Sequence, residues 1–229
     1  MRHFIYYFLM ASLSLSSIKS FAGTGYSRKV IEPDHINLST QDFLMYYNNG
    51  SPEEKETTLM YLLGVADATE GTLWCNYKEV DKEALYSSVL NNVIQLSRES
   101  ENVRASTLIT MALANTSPCQ NILSLERRTG QSSSFLHLTP DMFNLSANDF
   151  FHFWQSGNKQ NEYNAKIYLL GIKDYSEGRI WCEYKKIKNV TLDEIIFWDF
   201  KKLSPEKYNE RAAVIILNKL KNYPCGKGK

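Results

Sequence analysis

Apolar residues along this chain recur at the spacing of amphipathic helices. Phe43, Tyr46 and Tyr47 follow an i, i+3, i+4 pattern, which places three aromatic rings on one helical face. A later stretch repeats the same aromatic pattern at Phe150, Phe153 and Trp154. Such a stripe could line a binding groove, but aromatic residues at helical spacing usually pack in a core. We therefore expect both faces to be buried.

The two aromatic stretches belong to a tandem duplication. The segment Tyr-Leu-Leu-Gly at 61–64 recurs at 168–171. In both copies an aspartate, a Glu-Gly pair and a Trp-Cys pair follow, and later an Arg-Ala pair and a Pro-Cys pair. Agreement between two copies of one plan separates designed positions from accidental ones. We expect a signal peptide at residues 1–22, a first helical repeat at 23–120, a linker at 121–136 and a second helical repeat at 137–229.

Each repeat is predicted to contain four helices, which makes the fold class all-α. Ser39 with Asp42, and Ser146 with Asp149, resemble capping boxes at the start of the first helix. Thr191 with Glu194 resembles another at the third helix of the second repeat. The predicted helices begin near residues 40, 52, 82 and 98 in the first repeat, and near 147, 159, 191 and 205 in the second. The second helix of each repeat is expected to run to Trp74 or Trp181.

A glycine and an aspartate share the apolar stripe of the second helix in both copies. Because glycine weakens a helix, its presence at Gly64 and Gly171 indicates close approach of another backbone. The aspartates should be partly buried, and a buried carboxylate needs a partner. We expect structural ion pairs within each repeat, Asp67–Arg104 and Asp174–Arg211. An acid/base role for Asp67 with Glu70 is the weaker alternative, since no nucleophile or histidine accompanies it in both copies.

The four cysteines allow three disulfide connectivities. Each repeat holds one cysteine after its second helix and one after its fourth. The duplication therefore favours Cys75–Cys119 and Cys182–Cys225. A zinc site is disfavoured because CxxC spacing and a histidine in register are both missing from the sequence.

The N-terminus indicates export. A basic start, an apolar stretch and small residues ending at Ala22 form the pattern of a secretory signal peptide. Cleavage after Ala22 removes Arg2 and Lys19 and no acidic residue, so the formal net charge changes from +1 to −1. This near-neutral charge argues against a nucleic-acid partner. The oxidising space outside the inner membrane suits structural disulfides.

Sequence motifs for catalysis are lacking. No GxSxG, HExxH or phosphate-binding loop occurs, and the histidines have no counterpart between copies. With all four cysteines assigned to disulfides, a thiolate nucleophile is disfavoured. We expect no enzyme activity, no catalytic residue, no cofactor and no metal.

The repeated residues resemble the Rap/Tai family of immunity proteins. The resemblance rests on Tyr-Leu-Leu-Gly, the aspartate, Glu-Gly, Trp-Cys, Arg-Ala and Pro-Cys, and covers residues 61–119 and 168–225. It implies a helical periplasmic protein of a Gram-negative bacterium. Such proteins bind and sterically inhibit peptidoglycan amidase effectors of the type VI secretion system. A periplasmic chaperone without a toxin partner is the alternative, and an envelope enzyme is the third class.

Two copies in one chain depart from the family pattern of one domain that dimerises. The tandem is therefore expected to form its own pair in place of a homodimer, with no membrane insertion after cleavage. Exposed segments that differ between copies are the candidates for partner contacts. They contribute Asn76, Lys78, Lys185, Lys186 and Lys188. The basic run Lys185-Lys186-Ile187-Lys188 fits a solvated loop better than a site for an acidic partner.

Overall fold

The fold is known from a computed structural model. It describes residues 31–99, 102–119, 130, 136–182 and 187–225. The predicted signal peptide, nearly all of the predicted linker and two of the proposed contact residues, Lys185 and Lys186, lie outside the described residues.

The described residues form eight α-helices, four in each repeat. The first repeat contains α1 (Thr40–Asn49), α2 (Pro52–Thr69), α3 (Lys82–Ser97) and α4 (Ala105–Thr116). The second contains α5 (Ala147–Trp154), α6 (Lys159–Ser176), α7 (Asn189–Lys201) and α8 (Ala212–Leu220), with a 3-10 turn at Pro205–Lys207. Extended pairing among these residues is limited to isolated bridges. The all-α prediction is confirmed.

The second helix of each repeat is shorter than predicted. α2 ends at Thr69 and α6 at Ser176, well before Trp74 and Trp181. Glu70 adopts an extended conformation and Gly71 has a φ of 80°, a left-handed conformation that favours glycine and terminates the helix. The repeated Glu-Gly pair is thus a helix stop. The tryptophan then folds back, and the Trp74 indole donates to the Ala66 carbonyl at 2.8 Å.

Three predicted helix starts were also wrong. The fourth helices begin at Ala105 and Ala212, because Arg104 is extended and pairs as a bridge with Ser39. The third helix of the second repeat begins at Asn189, and its N-cap residue Lys188 makes no side-chain cap bond. Thr191 therefore lies inside α7 and does not cap it.

The caps of the first helices follow the sequence more closely. The Ser39 hydroxyl accepts from the Asp42 amide at 3.0 Å, and the Ser146 hydroxyl accepts from the Asp149 amide at 3.1 Å. These bonds satisfy one free N–H group in each first turn. α1 and α5 then direct the predicted aromatic stripes inward. Phe43, Tyr46, Phe150, Phe153 and Trp154 are buried, which confirms the prediction for five of the six stripe residues. Tyr47 is only partly buried and packs against the core.

α2 and α6 form the centre of the molecule and cross at their glycines. A Cβ added to Gly64 would lie 2.1 Å from the Tyr168 carbonyl oxygen, and one added to Gly171 would lie 2.2 Å from that of Tyr61. Only glycine permits this approach. The expected close backbone contact is confirmed, and it joins one repeat to the other.

The predicted disulfides Cys75–Cys119 and Cys182–Cys225 are both present. Each connects the segment after the second helix to the end of the fourth helix. The described part of the chain contains no helix long and apolar enough to cross a membrane.

Candidate functional site

The buried aspartate of each second helix binds the backbone of the other repeat. The Asp67 carboxylate accepts hydrogen bonds from the amides of Asn144 and Leu145 at 2.7 and 3.1 Å. It also accepts from the Tyr168 hydroxyl at 2.9 Å. All three donors belong to the second repeat, and Asp67 is 3% exposed. Its hydrogen bonds therefore lie at the heart of the contact between repeats.

Asp174 of the second repeat accepts the three equivalent hydrogen bonds from donors in the first repeat. Its carboxylate accepts from the Asn37 and Leu38 amides at 2.8 and 3.1 Å, and from the Tyr61 hydroxyl at 2.8 Å. The two sets of contacts are reciprocal, so the repeats are related by an approximate two-fold operation. This is the arrangement of an isologous dimer interface, formed within one chain.

A left-handed asparagine presents the two amides in each set. Asn37 has a φ of 66° and Asn144 a φ of 62°, a conformation that asparagine tolerates better than most residues. Such a turn directs consecutive N–H groups toward one anion. The Asn-Leu-Ser segment before the first helix is thus a receptor for the other repeat's carboxylate.

The predicted ion pairs are wrong in their partners. Arg211 binds the first repeat: its guanidinium donates to the Asp67 carbonyl at 2.6 Å, and Nη1 lies 2.9 Å from Oε2 of Glu70. Arg104 in turn pairs with Glu177 of the second repeat at 2.5 Å. Each arginine directly precedes the fourth helix of its own repeat, at the edge of the contact, where the end of the other repeat's second helix lies within reach. The pairs therefore run between repeats.

Burial dominates the electrostatics of these carboxyl groups. Desolvation raises the pKa of Asp67 above its usual value, against the opposing effects of Arg211 and of the hydrogen bonds it accepts. Desolvation likewise raises the pKa of Asp174. Burial and the neighbouring carboxylate raise the pKa of Tyr61 and Tyr168 well above their usual range, so both phenols stay protonated as donors.

A comparison with protein-family models shows which family this chain belongs to. The family model described as Rap1a immunity proteins matches residues 39–119 and again residues 146–225. The chain belongs to the Rap1a immunity proteins. The two matches cover more than half of the sequence and confirm both the resemblance and the tandem duplication. No individual curated protein matches the chain significantly.

The repeated residues of this Rap1a chain now have a shared physical role. Within the matched ranges, the tyrosine supplies the phenol, the glycine the crossing point and the aspartate the carboxylate, while the glutamate receives the arginine. The signal for the tyrosine and glutamate roles was present in the sequence, since both recur between copies. The direction of the contacts was not, because either repeat could supply the partner.

Of the residues proposed for partner contacts, the three that the structure describes are not among those that bind Asp67, Asp174, Arg104 or Arg211. Asn76 and Lys78 are exposed in the turn after Cys75, and the Lys78 ammonium lies 5.9 Å from the Tyr77 ring centre. Lys188 is exposed at the start of α7. Contact with an effector stays a prediction for them. Among the described residues, no group of three or more His, Cys, Asp or Glu side chains could hold a metal ion.

One buried cation was missed entirely. Lys173 on α6 is fully buried, and its ammonium binds Asp193 and the Asn189 side-chain oxygen on α7. Burial lowers its pKa, while Asp193 opposes that shift. The corresponding residue of the first repeat is Ala66, so the duplication gave no signal for it.

Proposed function

We propose that this chain is a periplasmic immunity protein that binds a peptidoglycan amidase effector of the type VI secretion system and blocks its active site sterically. The Rap1a match over both repeats carries the proposal. The two disulfides and the signal-like N-terminus support export to an oxidising compartment.

The interior chemistry supports a binding role in place of catalysis. Asp67 and Asp174 are buried and engaged with backbone amides, so they are out of reach of a substrate. Every described cysteine is in a disulfide. The polar groups most strongly perturbed by burial thus hold the molecule together. A rigid body of this kind inhibits by occupying a cleft, which requires shape and no chemistry of its own.

We further propose that the tandem arrangement replaces a homodimer. The reciprocal aspartate contacts and the glycine crossing use the same elements of both repeats. Joining the two partners in one chain raises their effective concentration and removes the need for a second molecule. The interface is then complete at any protein concentration.

An inhibition assay tests the function. The mature protein is added to purified type VI peptidoglycan amidases, and release of peptide from cell-wall sacculi is measured. We expect stoichiometric inhibition of one amidase and none of unrelated amidases. Failure to inhibit any amidase, together with suppression of the aggregation of unrelated acid-unfolded proteins, would support the chaperone alternative and overturn the proposal.

A further inference from the structure

We propose that a groove formed where the two repeats meet beside α7 is the docking site for a basic, partly apolar segment of the protein partner. This inference rests on the proposed function, since the partner in question is the effector. The groove has a volume of about 590 Å³ and lies between α7 and the segment that precedes α1. We call it the aromatic-acidic groove. Its defining residues are Trp154, Phe197, Trp198, Glu32, Asp34 and Glu194.

The apolar side of the aromatic-acidic groove is a set of aromatic rings. Trp154 and Phe197 meet edge to face with ring centres 5.4 Å apart, and Phe197 meets Trp198 in the same way at 6.1 Å. Trp198 is 51% exposed. A large, half-exposed tryptophan joined to a buried aromatic cluster is the composition of an interface anchor.

The other side of the groove carries an excess of negative charge. Glu32, Asp34 and Glu194 are exposed. The groove's fourth carboxylate, Asp193, is already bound by buried Lys173. Among the described residues that line the groove, Lys166 is the one cation. The three exposed carboxylates therefore outnumber it, and the groove favours a cationic ligand.

The walls of the groove are fixed by buried contacts. The side-chain amide of Asn189 donates to the Pro33 carbonyl at 2.8 Å, which attaches the segment that precedes α1 to α7. Lys173 holds Asn189 and Asp193 from beneath. The Tyr163 hydroxyl donates to the Ile31 carbonyl at 2.5 Å and anchors the start of the same segment. The site is thus preorganised before a ligand arrives.

The first repeat supplies an internal comparison. When the two repeats are aligned, Tyr86 of the first repeat corresponds to Asp193 of the second. The Tyr86 hydroxyl donates to the Pro140 carbonyl. The Tyr86 ring is 9% exposed and packs on Phe143 at 5.3 Å between ring centres. Ser87 and Asn91 stand in place of Glu194 and Trp198. Glu194 and Trp198 of α7 therefore have no counterpart on α3, so the aromatic and acidic character of the groove is not a requirement of the fold.

The chemistry of the groove selects its occupant. Tryptophan faces attract arginine and lysine. The Lys201 ammonium already lies 4.7 Å from the Trp198 ring centre, so a cation of the ligand takes the other face of this ring or displaces Lys201. Neighbouring carboxylates add charge-assisted hydrogen bonds to the ligand cation. An apolar side chain next to the cation would cover the Trp198 and Phe197 rings. A segment of the effector that alternates basic and apolar side chains satisfies both requirements.

Tryptophan indole NMR signals test the groove directly. The probe is a synthetic hexapeptide of alternating arginine and leucine, and the control peptide carries glutamate in place of arginine. We expect the basic peptide to shift the Trp198 and Trp154 indole signals. Trp74 and Trp181 are fully buried elsewhere and serve as internal references. Equal shifts with both peptides, or shifts confined to the reference signals, would overturn the proposal.

Matched variants separate the groove from general charge effects. Glu194→Lys and Trp198→Ala should each weaken basic-peptide binding about fivefold or more. The equivalent changes in the first repeat, Ser87→Lys and Asn91→Ala, should leave it unchanged, since both positions are exposed on α3. Thermal unfolding of all four variants confirms that each is folded. Equal losses in both repeats would contradict the assignment.

The same variants distinguish this proposal from the proposed function. An amidase that wild type and Trp198→Ala inhibit equally would overturn the groove and leave the immunity function standing. Peptide binding in the groove without inhibition of any amidase would overturn the function alone. A Trp198 signal that shifts with protein concentration would assign the groove to a second copy. A Trp198 signal that shifts when residues 23–30 are removed would assign the groove to those residues of the chain itself. Either shift would overturn the proposal.

Discussion

Asp67 of the first repeat accepts a hydrogen bond from the Tyr168 hydroxyl of the second repeat at 2.9 Å. The reciprocal bond, from Tyr61 to Asp174, is 2.8 Å long. Each repeat therefore completes the interior of the other, and neither buried carboxylate is satisfied within its own repeat alone. The stability of the two repeats should be coupled, and four substitutions measure that coupling.

Removing the Asp67 carboxylate should destabilise the whole molecule. In Asp67→Ala the amides of Asn144 and Leu145 and the Tyr168 hydroxyl lose their buried acceptor. Unsatisfied buried donors cost about 1–3 kcal/mol each, so we expect a loss of about 3–5 kcal/mol in the free energy of unfolding. Urea denaturation followed by tryptophan fluorescence measures it.

Asp141→Ala is the matched control for that substitution. Its side chain is 58% exposed, and its ion pair with Lys82 spans 3.9 Å. Such an exposed pair contributes about 0–1 kcal/mol. Because Lys82 and Asp141 also belong to different repeats, this control isolates the effect of burial. A loss at Asp67 no greater than the loss at Asp141 would show that the buried inter-repeat bonds are not needed for stability.

The Gly64→Ala substitution tests the helix crossing by whether it raises or lowers the stability of the protein. In an unhindered helix, alanine in place of glycine stabilises by about 1 kcal/mol. Here the added Cβ would lie 2.1 Å from the Tyr168 carbonyl oxygen, so α2 and α6 must separate and stability must fall. Differential scanning calorimetry should show a lower Tm. A Tm equal to or above that of wild type would mean that the helices do not cross in contact at this point.

The two inter-repeat arginines should differ in importance. Arg211 and Glu70 have side chains 9% and 1% exposed, whereas Arg104 is 35% exposed. Breaking a buried pair by removing one partner costs about 3–5 kcal/mol, and solvent screens the more exposed pair. Arg211→Ala should therefore destabilise by at least about 2 kcal/mol more than Arg104→Ala. Equal losses in parallel urea titrations would contradict this ranking.

The raised pKa of Asp67 predicts a pH dependence of stability. Because burial raises this pKa above its usual 3.8, the folded state binds the proton more tightly than the unfolded state. The stability of wild type relative to Asp67→Asn should then fall as pH rises from about 4, and level off above the folded pKa. Urea titrations at several pH values compare the two proteins. A relative stability that rises over the same window would show that Arg211 and the hydrogen bonds outweigh burial.

Some of this molecule could be predicted from the duplication and some could not. Gly64 and Asp67 recur as Gly171 and Asp174, which indicated close packing and burial, and both are observed. The partner of each aspartate could not be predicted, because residues that recur in both copies give the same pattern whether contacts form within a copy or between copies.

Features present in only one copy were invisible to the duplication. In the sequence Lys173 looks like an ordinary polar residue of an amphipathic helix. Its burial and its ion pair with Asp193 depend on how α6 packs against α7. The aromatic-acidic groove likewise joins residues of both repeats that are distant in sequence. The helix start after Arg104 was missed because the extended backbone of Arg104 follows from its bridge to Ser39, which is distant in sequence. The helix end at Glu70–Gly71 did have a local signal, since the recurring glycine is a typical helix stop.

The absolute mass of the mature protein in solution tests the central claim most directly. Multi-angle light scattering behind size-exclusion chromatography gives this mass over a range of concentrations. The paired repeats predict the mass of one chain throughout, because the face formed by Asp67, Tyr168 and the glycine crossing is already occupied. A mass of two chains that persists on dilution would contradict the claim that the tandem replaces a homodimer.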